Sequence, residues 1–141
     1  DLTNYLFQAY GVDPARVKLK IDIPALSLNI DTAIPLGLII NELVSNCLKY
    51  AFRGRTEGEV FVYVYPDADG MHTLIVRDNG TGFPGDMDFR KPESLGLRLI
   101  TLLAQQLDGT IELSSNNGTE FIIKFREQQY KKAGNPDNEA K

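Results

Sequence analysis

Glu42, Asn46 and Lys49 stand in the run NELVSNCLKYAF at residues 41–52. At 100° per residue they fall, with Arg53, on one side of a helix, opposite an apolar face of Leu36, Ile40, Leu43, Val44, Cys47 and Ala51. An acid, an amide and a cation in line can move a proton, offer a neutral oxygen to a metal ion and neutralise an anion. The pattern also fits a core-facing helix backed by solvated charges, the commoner case, so the helix alone does not decide. Cys47, on the apolar side, reads as a packed small residue and not a nucleophile. Three further stretches carry polar groups among glycines: DNGTGF at residues 78–83, SLGL at 94–97 and NGT at 117–119. Taken singly, Asp78 is a turn-former before Asn-Gly, and Gly80 and Gly82 are turn glycines.

These groups need elements to hold them. Residues 2–10 predict a helix closed by Gly11, residues 17–23 a strand ended by Pro24, and residues 27–30 a short strand. Asp31 is the expected cap of a helix running to Phe52, with Pro35 tolerated near its first turn. Residues 59–65 and 73–78 predict a hairpin through the turn-rich PDADG at 66–70. A long loop over 79–94 precedes an amphipathic helix at 95–107, and residues 110–113 and 119–125 predict a closing hairpin. The polar tail, residues 128–141, is predicted to be disordered, leaving residues 1–127 as one domain. The fold class expected is α+β, with helices on one side of a mixed sheet.

Composition narrows the function. A chain of 141 residues that is 43% hydrophobic can bury one core. Net charge is -4 and the basic residues are scattered, which disfavours nucleic acid and anionic membrane as partners. One cysteine and one histidine exclude an internal disulfide and leave no thiolate or imidazole zinc set, in keeping with a reduced, cytoplasmic setting. The greasy stretch at 34–40 contains Pro35 and Gly37 and is far shorter than the roughly 20 residues that span a bilayer, so no direct membrane contact is expected. The start at Asp1, without methionine or signal pattern, predicts a fragment of a parent that is either soluble or membrane-anchored.

Together the four stretches resemble, in order and in element, the nucleotide-binding boxes of the histidine-kinase ATPase superfamily, the Bergerat fold. The resemblance covers residues 2–125 and lies nearest the catalytic domains of the second, HWE-like family of sensor histidine kinases. It implies a two-layer α/β sandwich whose mostly antiparallel sheet is covered on one face by about three helices. It also implies binding of ATP and Mg2+. Asp78 would accept the exocyclic amine of adenine and repel a guanine carbonyl, with Thr119 on the ring and Gly80, Gly82 and Phe83 admitting or packing the ligand. Leu95, Gly96 and Leu97 would bring helix N–H groups to phosphate. Arg98 would add charge there, with Arg90 and Lys91 as weaker candidates. Asn46 would ligate Mg2+, Lys49 neutralise phosphate, Tyr50 shield the site, and Glu42 act catalytically by orienting a metal-bound water or polarising the nucleophile. Residues 82–94 would form a lid.

Departures are the single glycine of the second box, Asn116 where glycine is common, and no distinct phenylalanine box apart from Phe89. By the same resemblance the phosphate goes to a histidine on a separate dimerisation domain and then to a response regulator, in a homodimeric parent. His72, in or beside a hairpin turn, is expected to be a solvated loop residue and not that acceptor. Two alternatives are a stand-alone ATPase or anti-sigma-type serine kinase, and a nucleotide-responsive interaction domain that transfers nothing.

Overall fold

The computed structural model describes residues 16–24, 28–48, 57–80, 95–114 and 118–128. Five strands form one sheet: β1 (Val17–Asp22), β2 (Gly58–Pro66), β3 (Met71–Asp78), β4 (Thr110–Ser114) and β5 (Thr119–Arg126). Their order is β1-β2-β3-β5-β4, parallel between β1 and β2 and antiparallel elsewhere. Two α-helices among the described residues, α1 (Ile30–Asn46) and α2 (Leu95–Gln106), complete the chain order β1-α1-β2-β3-α2-β4-β5. This is the expected α+β sandwich with a mixed, mostly antiparallel sheet. The helix predicted at residues 2–10 lies outside the described residues, as do the lid at 82–94 and the tail beyond Gln128.

Period-two alternation builds the core. Val60, Val62 and Val64 of β2, Leu74 and Val76 of β3, and Phe121, Ile123 and Phe125 of β5 are all buried. They meet Leu36, Ile39, Leu43 and Val44 of α1 and Leu97, Ile100, Leu103 and Ala104 of α2, which recur at helical spacing. The other sheet face keeps its aromatics beside cations: Phe61 stacks on Tyr63 with centroids 6.0 Å apart, and Arg77 lies 4.8 Å from the Phe61 centroid.

Three local expectations need correction. Asn29, not Asp31, caps α1, its Oδ1 accepting the Thr32 N–H at 3.1 Å, because it stands three residues before that free donor. Leu28 and Asn29 are consequently in no strand, Ile30 is already helical, and Ser27 lies outside the described residues. Pro35 then falls in the second turn, where it has no N–H for the Asp31 carbonyl. His72 belongs to β3, half-buried and stacked on Phe125 at 5.4 Å, with Nδ1 buried and unpaired. The strand extends to Met71 because the turn between β2 and β3 is tight: Asp69 and Gly70 take positive φ and the Asp67 N–H donates to the Met71 carbonyl.

Beyond β5 the chain is tied to the start of α1. The Gln128 N–H donates to the fully buried Thr32 Oγ1 at 2.7 Å, the Asn29 N–H donates to Glu127 Oε1 at 3.1 Å, and the Asn29 amide donates to the Gln128 carbonyl. Gln128, predicted as the first residue of the tail, is thus held by the domain.

Candidate nucleotide site

Asp78 ends β3 on the face that also carries Leu74 and Val76, so its carboxylate points towards the helices and is only 2% exposed. A buried carboxylate needs donors. Oδ1 accepts the N–H groups of Gly80 at 2.9 Å and Thr119 at 3.3 Å, the first by doubling back over Asn79 and the second across the register pair Asp78–Thr119. Asn79 anchors that bend, its N–H donating to the Glu59 carbonyl and its Oδ1 accepting the Glu59 N–H at 2.8 Å. Thr119 is itself buried, so β3 and β5 deliver an acid and a hydroxyl to one place. The approach depends on Gly118, whose φ is +119° and whose hypothetical Cβ would stand 2.0 Å from the Asp78 carbonyl oxygen.

Cys47, 5% exposed, belongs to this cluster. Burial pushes its thiol well above the ordinary range, and the Asp78 charge and a hydrogen bond with Asp78 push it further. Helical counting placed Cys47 correctly on the apolar side but missed its partner. The available signal was the alternation along β3, which sends Asp78 into the layer that Cys47 faces.

The second cluster lies on α1. Glu42 and Asn46 are half-buried and one turn apart, as expected. Ser45 between them is buried and donates to the Asn41 carbonyl at 2.6 Å, which turns it away from any ligand. The Glu42 carboxylate reaches Gly96 in the first turn of α2, where Oε2 would be 2.7 Å from an added Cβ. Leu97 is buried in the core and Arg98 is exposed. After Asn46, α1 widens into a π-type turn at Cys47 and Leu48. Lys49, Tyr50, Arg53, Gly82, Phe83, Phe89, Arg90 and Lys91 lie outside the described residues, and of Leu95 only the helical backbone is described.

The structure therefore brings together Asp78, Gly80, Gly118, Thr119 and Cys47 at the sheet end, and Glu42 with Gly96 at the helix pair; Asn46 stands on α1 between Glu42 and Cys47. Among the described residues no three His, Cys, Asp or Glu side chains form a metal cage. Asn46 is suited to Mg2+, which takes few protein ligands and completes its shell from phosphate and water.

Among the described residues, a five-stranded mixed sheet lies under two α-helices, with one acid buried at a central strand end and a second acid and an amide on α1. The chain belongs to the histidine kinase-, DNA gyrase B- and HSP90-like ATPase family, which matches residues 31–129, and members of that family bind ATP. It is 34% identical over 115 residues to the nitrate/nitrite sensor protein NarQ of Escherichia coli, covering 79% of this chain and 19% of that one. It is 27% identical over 107 residues to blue-light-activated histidine kinase 2 of Erythrobacter litoralis, covering 76% of this chain and 31% of that one. In fold it matches the histidine kinase domain of the Erythrobacter litoralis EL346 blue-light-activated histidine kinase, with a TM-score of 0.81 at 24% identity over 88% of this chain and 57% of that one. The chain thus spans less than a third of the curated relatives named here. No described helix is long and apolar enough to cross a membrane.

Proposed function

We propose that this chain is the catalytic domain of a sensor histidine kinase, transferring the γ-phosphate of Mg-ATP to a histidine on a separate helical dimerisation domain. The observation that carries the reading is the Asp78 carboxylate, buried at 2% exposure and fixed through Oδ1 by two backbone N–H groups. An acceptor so fixed matches the exocyclic amine of adenine and meets a carbonyl oxygen if guanine is offered. Thr119 adds a hydroxyl beside the ring. The relatives in which such a domain occurs include proteins named as sensor and histidine kinases, which favours phosphoryl transfer over hydrolysis.

Asn46 would hold Mg2+, whose charge screens the phosphates when bound, and Lys49 would neutralise the phosphate tail. The first turn of α2 would offer free N–H groups to phosphate. Glu42 would orient the incoming imidazole and take its proton as the nitrogen bonds to phosphorus and the bond to the β-phosphate oxygen breaks, releasing ADP. A response regulator would then take the phosphate, and the parent would work as a homodimer on the cytoplasmic side, whether soluble or membrane-anchored.

The test supplies the parent's histidine-bearing domain to this chain with labelled Mg-ATP. An acid-labile phosphohistidine is expected, together with little hydrolysis by the chain alone. Glu42→Gln should depress transfer by about 10²-fold or more while sparing ATP binding, as expected for a lost general base. Asp78→Asn should weaken ATP binding by about 1–3 kcal/mol. Steady turnover by the chain alone at about 1 per second or faster, abolished by Glu42→Gln, would replace the kinase reading with an ATPase.

A further inference from the structure

Gly96 is the second residue of α2, and a methyl group on its Cα would come 2.7 Å from Oε2 and 3.8 Å from the carboxyl carbon of Glu42. Close packing does not tolerate the shorter contact, so the carboxylate occupies space that only glycine leaves open. The gap cannot simply widen. Leu43 and Val44 of α1 and Leu97 and Ile100 of α2 are buried in one core, which fixes the spacing of the two helices around it. What obstructs a side chain at position 96 is the far end of a flexible residue, unlike Gly118, where the obstruction is the backbone of Asp78.

We infer that Gly96 is a positioning residue for Glu42: by carrying no side chain it seats the Glu42 carboxylate against the first turn of α2. The seat is geometry of the folded chain. Its consequence for catalysis rests on the kinase reading above, because the seat then sets where the acid stands relative to the γ-phosphate held at that same turn. The glycine of the second nucleotide box thereby serves the acid on α1 as well as the phosphate. Positioning errors of about 1 Å at a reacting group cost about 10²-fold in rate, which gives the missing methyl its leverage.

Gly96→Ala tests this, since alanine is the better helix former and the displaced atoms belong to a mobile carboxylate. In the nucleotide-free chain, carbon-13 NMR of the side-chain carboxyls should show the Glu42 resonance moved more than that of any other carboxylate. In phosphotransfer to the histidine-bearing domain, kcat should fall about tenfold or more with KM for ATP changed less than about threefold. That is the pattern of a lost transition-state contact. In a Glu42→Gln background the same substitution should add less than about twofold, because the two act as a unit. An unmoved Glu42 resonance overturns the inference, and so does an undiminished loss in the Glu42→Gln background, which would place the methyl in the path of phosphate. Should the unaltered chain transfer no phosphate at all, the kinase reading fails while the NMR comparison still decides the seat.

Discussion

At the scale of single residues, the contact between Cys47 and Asp78 couples a thiol to the acid proposed to read the base. The thiol is held well above its ordinary range, first by burial and then by the neighbouring carboxylate, so it stays protonated and inert at neutral pH. A pH signature follows from linkage. Below about pH 8.5 the thiol carries its proton in both the folded and the unfolded chain. As pH rises through that value the unfolded chain releases the proton and the folded chain keeps it, so stability is lost until the raised folded value is reached. Cys47→Ser keeps a donor for Asp78 and removes this titration. Urea unfolding at pH 7.5 and 9.5 should show the difference in stability between the two proteins shifting in favour of serine at the higher pH. An unchanged difference would mean that the thiol titrates freely in the folded chain.

At the scale of elements, two glycines give the same substitution opposite signs. Gly37 is exposed within α1 and an added Cβ would meet nothing within 4 Å, so Gly37→Ala should stabilise the chain by about 0.5–1 kcal/mol through helix propensity and a less free unfolded chain. Gly118→Ala forces an L side chain into φ +119° and against the Asp78 carbonyl, moving the start of β5. It should destabilise by about 2 kcal/mol or more and weaken ATP binding with it, because the Thr119 N–H is withdrawn from Asp78. Thermal melts and calorimetric ATP titrations of both variants check the pair; a neutral Gly118→Ala would remove the role given to the close approach. The strands were legible because β2, β3 and β5 alternate so regularly, and α1 and α2 because their apolar residues recur at helical spacing. The start of α1 was misread because Asn29 and Asp31 are both good caps, and only the reach of the Asn29 side chain to the Thr32 N–H separates them. In the site, Asp78, Gly118 and Thr119 were visible as sequence motifs. Cys47 and the seat beneath Glu42 were not, because both are contacts between elements distant in sequence.

At the scale of the whole molecule, the tie between residues 127–128 and the start of α1 closes the domain at the end of α1 away from the candidate site. Asn29 and Asn46 are separated by about 25 Å at the 1.5 Å helical rise, so closure and binding should be separable. A chain cut after Arg126 leaves the buried Thr32 hydroxyl and the Asn29 amide without these partners, and it should be less stable than one cut after Gln128 by about 1–3 kcal/mol. ATP affinity should be alike in the two within about twofold, since the site elements are common to both. Denaturant midpoints and ATP titrations of the two truncations check this, and a parallel loss of affinity would show that the tie reaches the site. Order of synthesis gives the topology a different significance. Among the described strands β5 is the last to leave the ribosome, yet it lies between β3 and β4. Until residues 119–126 emerge, β3 presents an open edge along Met71–Asp78, β4 lacks its pairing partner, and Asp78 lacks the Thr119 N–H. A nascent chain halted in that interval is an unsealed sheet that needs protection from aggregation, and on the proposed reading it would not yet hold adenine. ATP would bind, and add its own stabilisation, only once β5 has been inserted.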